Sequence, residues 1–303
     1  MHIVFNAKLT NLGDTGGCLS IIESASVLRS MGHNVQIVAG ENRMKYDRPE
    51  TIEHIPPCDL CIGISVLDIE TTRHAKARKK VYWCRGPEWK WMASKHKTIK
   101  RLKRFLSDGG KVLCNAEWLT KKMWKYGITA KTCYVGFDFN FYQDKSIRKP
   151  PMVGTLYSKR PTKRFYEYRE KLIPYLNHLG IRHAAMGYTK HLIGDDLVNF
   201  YNSCTIWFAP SKMEGFHRVP AEAALCGCLV IATDKEAGGT ADWLIHKGSG
   251  LRYRSVDDAA KYIRDLKEED RLQMVENAKR ILAEKIGSKE RCMRKLIEAI
   301  YDN

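Results

Sequence analysis

The stretch 209–233, APSKMEGFHRVPAEAALCGCLVIAT, restricts the fold of this chain more than any other. Two glutamates, Glu214 and Glu222, stand there with seven residues between them. Pro220 predicts the first turn of a helix and Gly227 its end, so a helix over about 220–226 carries Glu222 near its start. The apolar run 229–231 then reads as a buried strand. The loop 215–217 leads into the helix, where backbone N–H groups lack partners and carry partial positive charge. Such a loop suits a phosphate or a row of sugar hydroxyls. Taken alone, the two carboxylates would be a helix residue complementing the dipole and a solvated loop charge.

The rest of the chain alternates in the same way. The apolar run 2–7 is a candidate parallel strand, followed by a glycine-containing loop, a helical pattern to Met31 and a second strand at 35–39. This is the opening of a Rossmann-like unit, without the GxGxxG of a dinucleotide site. Gly16 and Gly17 stand before the helix instead, where backbone can approach a phosphate. Strands at 59–66, 80–84 and 112–114, then at 152–156, 182–187 and 205–209, continue the pattern. The chain therefore reads as α/β, two αβα sandwiches. Its 303 residues are enough for two domains of ~150 each. We place them at 1–148 and 149–303, joined at the stiff Lys149-Pro150-Pro151.

The stretch 209–233 resembles the E-x7-E signature of retaining glycosyltransferases of the GT-B fold, the large family-four group, PSxxEGFGxPxxEAxAxGxPVIA. Pro210, Ser211, Glu214, Gly215, Phe216, Glu222, Ala223, Gly227, Val230, Ile231 and Ala232 match, and Pro220 stands one place after the pattern's proline. His217 stands where the pattern has glycine. Val135, Gly136, Asp138 and Phe141 resemble the family junction that ends the first domain. The resemblance implies two Rossmann-like domains facing a central cleft, with the acceptor side in the first domain and nucleotide-sugar binding in the second. The last helix, about 289–300, would pack back on the first domain.

The same resemblance implies roles residue by residue. Glu222 would bind the ribose hydroxyls of a nucleotide-sugar donor, and Glu214 its sugar. Gly16, Gly17, Gly215, Phe216 and His217 would line the donor. Relatives carry an arginine and a lysine that neutralise the donor diphosphate. Lys159 matches, while Thr155 stands in the arginine's place and Arg160 in that of a glycine. Two cations near a departing diphosphate are required in a metal-free site, so Lys163 or Arg164 is the candidate second one, and Arg164 is taken with Lys159, Glu214 and Arg85 as catalytic. Arg85 occupies the position of a family histidine. It can clamp phosphate but cannot serve as a neutral acid or base. No metal or cofactor is expected beyond the donor substrate, and the paired carboxylates are not a glycosidase pair.

Net charge is +17, and it is concentrated. The window 76–131 holds 17 Lys and Arg against three acids, with five of the seven tryptophans. Within it, 91–106 reads as one basic amphipathic helix. Its structural reading is a helix packed on the sheet with a solvated charged face. Its functional reading makes Trp89, Trp91, Lys97, Lys100, Arg101 and Arg104 a surface for anionic lipid or for DNA. The start, MHIVFNAKLT, lacks the features of a signal peptide, and no run is long enough to span a bilayer. Ten scattered cysteines fit a reducing compartment, and Cys58-x-x-Cys61 lacks the second pair of a zinc site. The expectation is a cytoplasmic enzyme, peripheral at the inner membrane face, that glycosylates a glycolipid or surface-glycan precursor. The alternatives are a transferase acting on modified DNA bases, in the manner of phage enzymes, and a non-catalytic nucleotide-sugar-binding protein.

Overall fold

The computed structural model describes residues 1–13, 15–45, 48–92, 94–146, 151–187, 192–234 and 238–301, the side chain of Trp91 excepted. Along the chain run β1 (His2–Ala7), α1 (Gly16–Ser30), β2 (Asn34–Ala39), β3 (Cys58–Gly63), α2 (Ile69–His74), β4 (Ala77–Cys84), α3 (Glu88–Trp91), α4 (Lys95–Ser107), β5 (Lys111–Cys114), α5 (Glu117–Lys125) and β6 (Ala130–Thr132). There follow β7 (Met152–Leu156), α6 (Ile173–His178), β8 (Arg182–Met186), α7 (Gly194–Ser203), β9 (Ile206–Ala209), α8 (Arg218–Leu225), β10 (Leu229–Thr233), β11 (Leu251–Tyr253), α9 (Val256–Asp265), α10 (Glu268–Ile281) and α11 (Lys289–Tyr301).

The chain divides into two compact units. Unit 1 is Met1–Gly136 with Lys289–Asn303, and unit 2 is Phe137–Ser288. The division therefore falls at Gly136, ahead of the Lys149-Pro150 linker, which lies outside the described residues.

Unit 1 is a six-stranded parallel sheet in the order β2-β1-β3-β4-β5-β6. Ile3, Phe5 and Ala7 of β1 join one core with Ile21, Ala25 and Leu28 of α1 and Cys292, Met293, Leu296 and Ile300 of α11. Val4 and Asn6, on the other face of β1, are buried too, as both faces of a parallel sheet must be. Full burial of side chains the size of Leu296 and Ile300 is worth roughly 1.5–3 kcal/mol each. Lys111 Nζ also donates to the Ile300 carbonyl at 2.7 Å, so α11 is an integral part of unit 1.

The segment 91–106 is not one helix. It is α3 and α4, separated around Ser94, whose side chain caps α4 by accepting from Lys97 N at 3.3 Å. A serine before a helical run is a start signal, and it overrides the continuous apolar stripe. That stripe also faces inward, since Leu102 is 0% and Phe105 1% exposed. They belong to the interior, while Lys95, Lys97, Lys100, Lys103 and Arg104 of α4 look outward.

Unit 2 is a five-stranded parallel sheet in the order β11-β10-β9-β7-β8. Two features of its helices are local. The helical segment ahead of β8 contains a π-type turn at Glu167–Leu172, because Pro174 in the first turn of α6 has no N–H for the carbonyl four residues back. The helix after the two-glutamate loop starts at Arg218, so Glu222 lies in its second turn. Pro220 is still harmless there, since the first four helical N–H groups have no intrahelical acceptor. Gly227 ends α8 at φ +88°. Gly227 N donates to the Ala224 carbonyl and Cys228 N to that of Ala223, a left-handed glycine terminator.

Candidate active site

In unit 2, β7 leads outward to β8 while its neighbour β9 leads the other way to β10. Adjacent parallel strands whose connections diverge leave a crevice at their carboxyl ends, the usual place for a ligand. The loops lining this crevice are 157–164 and 210–217. They are joined by Lys212 N donating to the Thr162 carbonyl at 2.8 Å, and by an ion pair between Lys163 and Glu214.

Glu214 is the centre of the cluster. Lys163 Nζ and Ser211 Oγ both donate to its Oε1, the latter at 2.5 Å, and His217 Nε2 lies 3.7 Å from the same oxygen. Burial pushes the Glu214 carboxyl up, but the charges of His217 and Lys163 and the two hydrogen bonds outweigh it. The group is held below the usual carboxylate range and is anionic at neutral pH. A narrow pocket beside it is lined by Thr155, Lys163, Ser211 and His217 among others. Thr155 forms part of that wall and ties its own hydroxyl to the Phe208 carbonyl at 2.7 Å.

Glu222 is buried, with each carboxylate oxygen accepting one hydrogen bond within unit 2. Tyr201 OH donates to its Oε2 at 3.0 Å, and Arg218 Nε to its Oε1 at 3.1 Å, an i,i+4 pair along α8. The Arg218 guanidinium also lies over the Phe137 ring at 5.8 Å, and Phe137 meets Phe216 at 5.8 Å. The backbone of 215–217 is held from below by Gly239, whose N donates to the Gly215 carbonyl at 2.7 Å. A Cβ on Gly239 would sit 2.5 Å from Phe216 Cα and 2.8 Å from the Gly215 carbonyl oxygen, so this close approach requires glycine.

The two candidate second cations part company. Lys163 reaches Glu214, whereas Arg164, in the left-handed region at φ 53°, turns to Glu167 and lies 3.4 Å from Thr233 Oγ1. Glu167 also accepts from Tyr253 OH at 2.9 Å. Lys159 is exposed on the loop after β7 and makes no ion pair among the described residues.

In unit 1, Gly16 and Gly17 open α1 behind the cap residue Thr15. A Cβ on Gly16 would meet nothing within 4 Å, and on Gly17 only Thr15 Oγ1 at 3.7 Å. The fold itself therefore has no steric demand for glycine at either position. Arg85 follows β4 directly, donates to Ser20 Oγ and lies over the Trp83 ring at 5.1 Å. Ser20 in turn donates to the Gly17 carbonyl at 2.9 Å, so Gly17, Ser20 and Arg85 form one group.

The proposed basic surface divides. Lys97, Lys100 and Arg104 are exposed. Arg101 is half-buried, donates to the Val66 carbonyl at 3.3 Å and approaches Glu70 at 3.8 Å. Trp89 is 2% exposed and packs edge-on against Tyr126, so its ring is unavailable to any partner and that expectation is corrected. The side chain of Trp91 lies outside the described residues. The exposed ring is instead Trp124, 58% accessible on α5, its N–H held by the Ala130 carbonyl at 3.0 Å. No helix among the described residues is long and apolar enough to cross a membrane.

Sequence reasoning missed Arg218 and Tyr201 as partners of Glu222. The first is signalled by its i,i+4 spacing. The second comes from α7 and has no local signature.

Residues 167–281 match the family model described as glycosyl transferases group 1. A stretch of 68 residues, 22% of the chain, is 31% identical to the serotype-specific mannosyltransferase WbdA of Escherichia coli, and the match spans 8% of that protein's length. Among solved structures, the chain is similar to Anabaena Alr3699/HepE in complex with UDP-glucose, with 17% identity, a TM-score of 0.71 and all of both chains covered. It is also similar to WaaG, a glycosyltransferase involved in lipopolysaccharide biosynthesis, with 12% identity, a TM-score of 0.67 and 99% of this chain and 100% of that one covered. At such identities the likeness speaks to the fold. The family match spans the Glu214 loop and α8 and lies wholly within unit 2. Over residues 167–281 the chain is similar to the glycosyl transferases group 1, and its two parallel-sheet units have the GT-B fold.

Proposed function

We propose that this chain is a retaining glycosyltransferase that moves a sugar from a nucleotide-sugar to an acceptor without a bound metal. The observation that carries this reading is the Glu214–Lys163 ion pair, bridging the two diverging loops at the crevice of unit 2. A crevice carboxylate suits sugar hydroxyls, and a mobile ammonium beside it suits a diphosphate. Glu214 binds the donor sugar, and the remaining lone pairs of Glu222 accept from the ribose. The 215–217 backbone contacts sugar or phosphate. Lys163, with Lys159 nearby in sequence, opposes the charge of the leaving diphosphate. The bond between the sugar's anomeric carbon and the diphosphate oxygen breaks. The acceptor oxygen bonds to the same face of that carbon, and its proton passes to a diphosphate oxygen. In unit 1, the open first turn of α1 and Arg85 take phosphate or hydroxyl groups. The complex of HepE with UDP-glucose supports a nucleotide-sugar as the donor class.

The test is a panel of nucleotide-sugars, scored by nucleotide release and by protection from heat unfolding. Glu222→Gln is expected to weaken donor binding by about tenfold, a loss of ~1.4 kcal/mol, while Glu214→Ala mainly lowers turnover. Unchanged donor Kd and turnover in both variants would put the site elsewhere.

The acceptor is proposed to be a glycolipid or surface-glycan precursor at an anionic membrane. The support is the outward row Lys97, Lys100, Lys103 and Arg104 on α4, with the exposed Trp124 on α5. Each such cation contributes about 1 kcal/mol near an anionic surface and less as salt rises. Flotation with anionic liposomes across a salt series is expected to show binding that these four residues, changed to Gln, abolish. Binding to DNA with no affinity for liposomes would replace the acceptor by a nucleic-acid base.

A further inference from the structure

Where the family pattern has glycine between the two glutamates, this chain has His217, and where it has arginine after the first strand of the second domain, this chain has Thr155. The two positions are more than sixty residues apart in sequence. In the fold they line one pocket, together with Lys163 and Ser211. His217 is buried at the cap position of α8, and its Nε2 stands 3.7 Å from Glu214 Oε1, on the same oxygen that Lys163 holds. A side chain has thus been added, and a cationic one removed, on the walls of a single cavity.

We propose that the protonated imidazole of His217 supplies, with Lys163, the positive charge that binds and stabilises the donor's diphosphate, in place of the arginine absent at Thr155. This rests on the reading of unit 2 as the nucleotide-sugar site. Glu214 presents a carboxylate to Nε2, and the anionic state of that carboxylate is itself maintained in part by His217. Among the described residues, the other charged groups on the surrounding elements include Lys163 and Arg164 on the loop after β7, with the exposed Lys159 and Arg160, Lys212 on the loop of His217 itself, Arg218 and Glu222 on α8, which bind one another, and Asp242 on the Gly239–Asp242 turn. When a diphosphate enters, Lys163 and His217 exchange a shared carboxylate oxygen for phosphate oxygens. Histidine is the side chain whose charge changes between about pH 5 and 8. A diphosphate held by His217 is therefore bound more tightly on the acid side, where an arginine would leave affinity flat.

The test measures the Kd of UDP and of GDP by titration calorimetry at about pH 6 and about pH 8.5, with wild type, His217→Gln, His217→Arg and Lys163→Ala. The ligand's own titration is common to all four proteins and cancels in the comparison. Relative to His217→Arg, wild-type affinity is expected to fall by about tenfold between the two pH values, the equivalent of one charge-assisted hydrogen bond. His217→Gln should lose that tenfold at the lower pH and keep only the ligand's own pH dependence, while His217→Arg restores affinity with that same ligand dependence. Equal pH profiles for wild type and His217→Gln, with Lys163→Ala weakened, would overturn the role of His217 and leave the unit 2 site standing. No binding of either nucleotide by wild type, or no effect of Lys163→Ala, would remove the underlying site as well. A circular-dichroism melt of each variant separates loss of charge from loss of fold.

Discussion

Each unit has a carboxylate at the carboxyl end of its sheet, tying together two loops that diverge from neighbouring strands, but the two ties differ in kind. In unit 1, Asp68 follows β3 and accepts from Leu9 N at 2.7 Å and from the Thr10 hydroxyl, both after β1. These donors are neutral. Burial pushes the Asp68 carboxyl up to about 6 against their opposing pull. Glu88 repeats the arrangement one strand over. Ser65 Oγ and Val66 N donate to its Oε2 at 2.8 and 2.6 Å, and burial pushes it up to about 7. In unit 2 the corresponding tie is Glu214, which meets Lys163 and stays low despite its burial. Its neighbours Glu222 and Glu167 likewise face Arg218 and Arg164. A carboxylate stitched by backbone and hydroxyl groups closes a crevice and stays closed. One held by a lysine can be released when a stronger anion arrives. Unit 1, with its large surplus of positive charge, keeps much of that charge on the outer row of α4, whereas unit 2 pairs its cations with carboxylates at the site.

The comparison implies that the pairs of unit 2 are not equivalent, and substitutions can separate them. Arg164→Ala should have the largest effect, about 3–5 kcal/mol of unit 2 stability in chemical denaturation. It leaves Glu167 buried with only Tyr253 beside it, and breaking a buried pair from one side is costly. If stability is unchanged and turnover collapses instead, Arg164 is the functional cation and the division drawn above between the two neighbours is wrong. Lys163→Ala should lower turnover with a nucleotide-sugar by about a hundredfold, ~2.7 kcal/mol of transition-state stabilisation, with little change in unfolding midpoint. A large stability loss there would make Lys163 a structural tie like those of unit 1.

The smallest effect tests unit 1. The folded Glu88 carboxyl sits above its ordinary value, so the folded state binds the proton more tightly than the unfolded one. The favourable contribution is complete below the unfolded pKa and is lost as pH rises through about 7. Glu88→Gln keeps an oxygen for Ser65 and Val66 without the charge. It should stabilise the protein by about 1–2 kcal/mol near pH 8 and by almost nothing near pH 5. Equal gains at both pH values would mean that charge is not what burial penalises at this position.

The sheets were legible because parallel strands buried on both faces read as continuous apolar runs, and Gly32 and Gly227 mark where helices end. The three-residue strands β6 and β11 were not, since a run so short has no periodicity. The Glu214 loop was readable through an ordered pattern of residue types. The choice between Lys163 and Arg164 was not, because it turns on one left-handed backbone angle, which sends adjacent side chains to different carboxylates. Tyr201 was invisible for the same reason that Asp68 was. Both act on residues far away in the chain, and only the sheet order brings them there. The inward face of α4 and the burial of Trp89 show the limit of amphipathicity. A basic helix with an apolar stripe has the same sequence whether the stripe meets lipid or its own domain.

The placement of α11 in unit 1 has a consequence for biosynthesis. Unit 2 is continuous in the chain, whereas unit 1 needs a helix that emerges from the ribosome about 150 residues after the rest of it. At translation rates of roughly 5–20 residues per second, the α1 face that α11 covers waits on the order of ten seconds or more, with Ile21 and Leu28 short of part of their partners. The later half of the polypeptide can therefore reach its native state before the earlier half does. A chaperone acting on this nascent chain would find its binding surface on α1, and a transcript truncated before Lys289 would leave that surface open for good.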